Sequence, residues 1–209
     1  MDSNFVEEYG WSSATGPHSC EYLSPEILSI LSDLKVHRVL DVGSGNGRLC
    51  SDLGRNGFNV VGVENDLKGV QISKSNYPNL PFYNYGVQDD PTELLRHEDG
   101  FDAAVSTEVI EHLFAPHLLP RYCHAVIKDR GYIVLTTPYH GYLKNLALSV
   151  FNKWDFHHTA LWHGGHIKFW SRKTLTKLLE SNGFEVCRFV GVGRIPYFWK
   201  SMILIGRKF

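Results

Sequence analysis

The sequence has few cysteines, no surplus of either charge and no long apolar run. Among its 209 residues only Cys20, Cys50, Cys123 and Cys187 are cysteines, and none stands in a C-x-x-C pair. Neither a disulfide framework nor a zinc knuckle is suggested, and scattered thiols fit a reducing, cytoplasmic setting. The 21 Lys and Arg are balanced by 22 Asp and Glu, for a formal net charge of -1. Such balance carries no nucleic-acid signature and no general pull toward anionic lipid, so any partner must be recognised locally. No stretch reaches the roughly 18 consecutive apolar residues of a membrane span. The opening MDSNFVEEYGW is acidic and has no apolar core, so a secretory signal is not expected either. Internal repeats, low-complexity tracts and Pro/Gly/Ser-rich linkers are also missing, so residues 1–209 read as a single domain. Its oligomeric state has no signature in the sequence.

What is present is alternation. SPEILSILSDL predicts a helix with Ser24 as N-cap and Pro25 at its first position. HRVLDVG, GRLCSDLGRNG and NVVGVEN then read as strand, helix and strand, a βαβ unit. A third strand is expected in LPFYNYGVQDD, a short helix at PTELLRH, a fourth strand in FDAAVST and a helix from Glu108 through Leu113. LLPRYCHAVIKDRG supplies another helix and GYIVLTTP a fifth strand, stopped by Pro138. The last part reads as a helix and two strands joined around GRIPY, which permits an antiparallel hairpin at the sheet edge. Strands alternating with helices imply an α/β sandwich, a mostly parallel sheet with helices on both faces.

VLDVGSGNGRL places Gly43, Gly45 and Gly47 between a strand and a helix. Residues without a Cβ let a ligand approach the backbone, and the helix start presents free N–H groups. Glu64 ends the next strand, where a carboxylate can accept bonds from both hydroxyls of a ribose. A ribosyl cofactor is implied. Dinucleotide folds use G-x-G-x-x-G, whereas this loop is D-x-G-x-G-x-G, which weighs against a nicotinamide dehydrogenase.

With that loop, Glu64, the acids Asp89 and Asp90 and the antiparallel finish, the chain resembles the class I S-adenosylmethionine-dependent methyltransferases from about Ser24 to Phe209. The resemblance implies a Rossmann-like three-layer sandwich with a seven-stranded sheet. It further implies that Gly43 and Gly45 pass the methionine part of S-adenosylmethionine, with Asp41 holding the loop and the amino group. Glu64 would hold the ribose hydroxyls, Gln88 or Asp89 the adenine, and Ser106 to Glu108 the methionine moiety. Asn46 and Arg48 read as ordinary loop and helix residues. A cofactor-binding protein without catalytic activity remains the non-enzymatic alternative.

STEVIEHLFAP raises a separate question. On a helix beginning near Thr107, Glu108, Glu111 and His112 would share a face, although acids in a first turn also complement the helix dipole. HGGHIKFWS adds His163 and His166. EVIEHL followed by H-x-K-F-W-S resembles two methyltransferase groups, the ubiquinone-biosynthesis O-methyltransferases and the small-RNA terminal 2'-O-methyltransferases. The second implies a divalent metal on Glu108, Glu111, His112 and His166; such a donor set suits Mg, Mn or Zn. Without a metal, His112 or His166 could serve as general base.

Residues 139–170 hold the acceptor side by family architecture, and Tyr139, Tyr142, Trp154, Phe156 and Trp162 could wall an apolar pocket or form a satellite core. YLKNLALSVFNKW reads as an amphipathic helix, with Lys144 and Lys153 giving thin support for peripheral membrane contact. Residues 1–23, with Tyr9 and Trp11, could fold over the cofactor as a lid. The expected activity is methyl transfer to an oxygen of a small aromatic or isoprenoid-like acceptor, with catalytic His112, His166 and Glu111. A metal-dependent RNA 2'-O-methyltransferase is the alternative.

Overall fold

A computed structural model describes Trp11, Thr15 and residues 18–158 and 164–209, without the side chain of Phe156. In chain order the elements are α1 (Cys20–Asp33), β1 (Arg38–Val42), α2 (Arg48–Arg55), β2 (Asn59–Val63), α3 (Leu67–Asn76), β3 (Phe82–Tyr83), α4 (Pro91–Leu95) and β4 (Phe101–Ser106). After a 3-10 turn (Ile110–His112) come α5 (Leu118–Val126), β5 (Ile127–Pro138), α6 (Tyr142–Val150), α7 (Trp154–His158), α8 (Arg172–Glu180), β6 (Phe184–Val192) and β7 (Ser201–Lys208).

The strands form one seven-stranded sheet in the order β3-β2-β1-β4-β5-β7-β6. β1 pairs in parallel with β2 and β4, and β4 with β5. β7 enters antiparallel between β5 and β6, the predicted hairpin. Period-two alternation along each strand feeds two cores. On one face Val39, Val60, Val105 and Val134 pack against Leu23, Ile27, Leu49 and Leu53 of α1 and α2. On the other, Leu40, Val42, Ala104 and Leu135 pack against α4, α5 and α8 through Leu94, Leu119 and Leu175. Each such buried aliphatic side chain contributes about 1.5–3 kcal/mol of transfer free energy. Asp41 shares the phase of Val39, so β1 delivers its one acid toward α2.

Four boundaries differ from the sequence expectation, each for a local reason. α1 begins at Cys20, not after a Ser24 cap, and carries Pro25 inside it. Pro25 forfeits one backbone bond, and the extra turn offsets this by burying Leu23. β3 stops after Tyr83 because side chains take over from the ladder: Asn84 Nδ2 donates to the Glu64 and Asn65 carbonyls, and Asp89 Oδ2 accepts the Gly86 N–H. IKDR belongs to β5, with Ile127 already paired to Phe101. No α-helix forms over 108–113, where Glu108 has a left-handed backbone (φ 54) and only a 3-10 turn follows.

Candidate active site

At the carboxyl ends of β1, β2 and β4 lies a cavity of about 440 Å³. The sheet order reverses here, with β2 on one side of β1 and β4 on the other, the position at which open α/β sheets bind ligands. Asp41, Gly43, Glu64, Gln88, Glu108 and His166 are all in its wall.

The glycine loop is shaped by its residue type. Gly43 and Gly45 have φ of 78° and 55°, and a Cβ on Gly43 would lie 2.5 Å from the Val109 side chain. A Cβ on Gly45 would strike the Trp11 indole, which covers the loop and also approaches Gly69. Glu64 holds the loop from below, its Oε2 accepting the Gly45 N–H and its Oε1 the Asp66 N–H, both at 2.8 Å. Burial raises its pKa, opposed by those backbone bonds. Each carboxylate oxygen retains acceptor capacity for a ribose hydroxyl.

Asp41 is almost fully buried. Burial pushes its carboxyl up to about 7, against the lowering effect of the Cys50 thiol. Its Oδ2 accepts that thiol at 3.2 Å, while Oδ1 has no hydrogen-bond partner among the described residues. A buried acceptor left open at a ligand loop fits a cationic donor such as the amino group of S-adenosylmethionine. Of the two residues expected near adenine, Gln88 lines the cavity and donates to Asn65 Oδ1, whereas Asp89 shapes its own loop. Asn46 is not the ordinary loop residue expected: it is buried and its Nδ2 donates to the Thr15 carbonyl, tying the preceding chain to the loop. Arg48 does pair outward, with Asp52.

From EVIEHL, Glu108, Val109, His112 and Leu113 line the cavity. Glu108 accepts from Thr136 Oγ1 at 2.9 Å and Ser201 Oγ at 3.2 Å, and burial raises it to about 7. Glu111 accepts from Thr137 Oγ1 at 3.0 Å, and its Oε1 has no hydrogen-bond partner among the described residues. Burial, then the Glu108 charge, raises its pKa well above the carboxylate range. The Glu111 carbonyl accepts the N–H groups of Ile167 and Lys168, which brings the HIKFW stretch against it. The His112 ring lies 2.6 Å through Nδ1 from the Gly164 carbonyl, so Nδ1 donates and Nε2 is the acceptor nitrogen. His166 Nε2 lies 3.9 Å from Glu111 Oε1, and burial lowers His166 to about 4, a neutral imidazole.

Potential ligand atoms of Glu111, His112 and His166 fall within 4.8 Å of one another. Three of the four expected ligands are thus brought together. Glu108 is outside the group because its carboxylate is spent on two strand-end hydroxyls. Trp162, His163 and Tyr9 lie outside the described residues, as does the Phe156 side chain. Tyr139 packs on Trp199, Trp154 on His158, and Tyr142 is exposed, so none of these three is in this cavity's wall. Lys144, named from sequence as thin support for peripheral membrane contact, is buried, with Nζ donating to the Tyr139 carbonyl. Burial and then Arg194 lower it to about 8, and Glu108 opposes this.

A family model described as a methyltransferase domain matches residues 18–188. The chain belongs to that methyltransferase family. Human mitochondrial ubiquinone biosynthesis O-methyltransferase is 33% identical over 166 residues, which cover 77% of this chain and 44% of that protein. The chain thus spans less than half the length of that relative. Among solved structures, magnesium protoporphyrin IX methyltransferase from Synechocystis with bound S-adenosylhomocysteine has a TM-score of 0.67 at 17% identity, covering 89% of this chain and 82% of that one. The methyltransferase domain of bacterial CtHen1-CN has a TM-score of 0.65 at 21% identity, covering 88% and 96%. Both show the same fold. Among the described residues no helix is long and apolar enough to cross a membrane.

Proposed function

We propose that this methyltransferase moves the methyl group of S-adenosylmethionine to a hydroxyl oxygen of a small aromatic or isoprenoid-like acceptor. The observation that carries this reading is the continuity of the cavity: one wall holds Glu64 and the glycine loop, the other His112 and His166. A cofactor at the loop and an acceptor hydroxyl beside the histidines would share one enclosed space. The methyl carbon leaves sulfur as it bonds to oxygen, S-adenosylhomocysteine departs, and the hydroxyl proton goes to a base. Positioning supplies much of the rate in such a displacement.

Glu111, His112 and His166 fit a divalent ion such as Mg, Mn or Zn: an unpartnered buried carboxylate oxygen and two neutral imidazoles within 4.8 Å. When bound, the ion supplies Lewis acidity that favours deprotonation of the acceptor hydroxyl. Glu111 and the imidazoles would hold it, and Glu108 would brace the strand ends behind them. Without an ion, the acceptor nitrogen of His112 or His166 receives the proton. The relative's name supports an O-directed reaction on a small molecule. An apolar acceptor also suits α6, whose Tyr142, Leu143, Leu146 and Val150 are exposed while its lysine is buried. Residues 139–170 would then hold the acceptor side, and Trp11 over Gly45 supports a covering role for residues 1–23.

Elemental analysis of protein purified without chelator tests the two proton routes. Glu111→Ala should lower metal content and turnover together, and EDTA should remove activity that one or two particular divalent ions restore. Turnover indifferent to EDTA would leave the imidazole route, in which replacing His112 or His166 costs about 10²–10⁴-fold.

A further inference from the structure

Cys50 hydrogen-bonds the buried acid of the glycine loop, yet the proposed reaction assigns it nothing. It lies on the buried face of α2, fully enclosed, and its thiol donates to Asp41 Oδ2 at 3.2 Å. The second oxygen of that carboxylate, Oδ1, is buried without a hydrogen-bond partner, and Asp41 lines the cavity. With the thiol on Oδ2, Oδ1 is the oxygen of that carboxylate whose acceptor positions are both unused among the described residues.

We propose that Cys50 is a positioning residue for cofactor binding: its thiol engages Asp41 Oδ2 and so presents Oδ1 to the ammonium group of the cofactor's amino-acid end. This rests on the reading of Asp41 as the partner of that ammonium. Among the described residues, the charged and titratable groups that act on Asp41 are Cys50 from α2, Glu64 from the end of β2 and Cys20 from α1. Glu64 raises Asp41 and Cys20 is a neutral thiol pushed up to about 11, so among these three the Cys50 hydrogen bond alone favours the ionised form. Cation binding requires that ionised form, and the folded value of Asp41 is about 7. Affinity therefore rises as pH increases through that value, and binding below it releases a proton. Loss of the thiol donor moves this limb to higher pH.

The test uses the full chain and two ligands: S-adenosylhomocysteine, which carries the ammonium, and methylthioadenosine, which lacks it. Calorimetry from about pH 6 to about pH 9, in buffers of different ionisation heat, reads affinity and proton release together. Cys50→Ala should weaken S-adenosylhomocysteine about fivefold or more near neutrality, shift its pH limb upward and leave methylthioadenosine unchanged. Cys50→Ser keeps an O–H donor and should restore both affinity and limb. Equal weakening of the two ligands, or a Cys50→Ala profile superimposed on the wild type, would overturn the proposal. Wild-type binding of methylthioadenosine and S-adenosylhomocysteine with equal affinity and no proton release would instead remove Asp41 as the ammonium partner, and Cys50 with it.

Discussion

Glu108 and Glu111 grip adjacent residues of one strand from opposite faces of the sheet. Glu108 accepts from Thr136, which shares the phase of Val134 and the α1 side, and Glu111 accepts from Thr137, in the phase of Leu135 and the α5 side. The left-handed backbone of Glu108 and the 3-10 turn Ile110–His112 carry the chain over the end of β5 so that both carboxylates reach it. Two acids this close share one electrostatic problem, since the charge of Glu108 raises Glu111 further.

That shared burden gives a stability prediction. Glu111 holds its proton more tightly folded than unfolded, so its contribution is present below the ordinary carboxylate range and is lost as pH rises through its raised folded value. In chelator, Glu111→Gln should melt above the wild type, by a margin that widens toward alkaline pH. Added divalent metal should close the gap by stabilising the wild type alone. A margin independent of pH in thermal melts would contradict the buried, raised carboxyl.

Histidine burial predicts the acid side. His140 is pushed down to about 3 and His157 to about 4, chiefly by burial with Lys144 adding repulsion. Their contribution is present above the ordinary histidine value and is lost as pH falls from there through those folded values. His140→Gln should flatten the decline in melting temperature between about pH 6.5 and about pH 4.

Glu64→Ala removes the acceptor at the end of β2 that also props the Gly45 N–H. The expected loss of S-adenosylhomocysteine affinity is about 1.5–3 kcal/mol, measured by calorimetry. Unchanged affinity would take Glu64 out of the cofactor site.

Asn46→Ala cuts the bond to the Thr15 carbonyl. About 1–2 kcal/mol of local anchoring is lost, so limited proteolysis should cleave near Thr15 faster and bound S-adenosylhomocysteine should protect less well. A cleavage rate equal to that of the wild type would mean that the segment is held by other contacts.

Leu146→Asp tests the exposed face of α6. The residue is 46% exposed, so stability should move by no more than about 0.5 kcal/mol. The KM for an acceptor with a long apolar tail should rise, and the KM for the same head group without the tail should not. Equal effects on both acceptors would separate this face from acceptor binding.

The sheet and the glycine loop were legible because they rest on local pattern. Short apolar runs closed by Asp41 and Glu64 and alternating with helical segments read as buried parallel strands, and glycines at Gly43 and Gly45 mark positive φ. The EVIEHL end was legible as a set of residues but not as geometry. Glu108, Glu111 and His112 were placed on one helix face, whereas hydroxyls some thirty residues later, Thr136 and Thr137, pull the glutamates to opposite sides. The adjacent threonines closing β5 were the available signal. Lys144 misled for a similar reason: an amphipathic pattern does not say which face turns inward, and here the apolar face of α6 is the outer one.

The last strand has a consequence for synthesis of the chain. β7 is translated after every other element described here, yet it pairs with β5 from Ser201 to Arg207 and with β6 from Ser201 to Lys208, and supplies Ser201 to Glu108 and to Tyr22 of α1. A nascent polypeptide on the ribosome therefore has its glycine loop long before it has a finished pocket. Until residues 201–208 emerge, β5 presents an open edge, the state most exposed to misassembly. Ligand binding during translation should accordingly appear abruptly once β7 has paired, as a signature of a completed sheet.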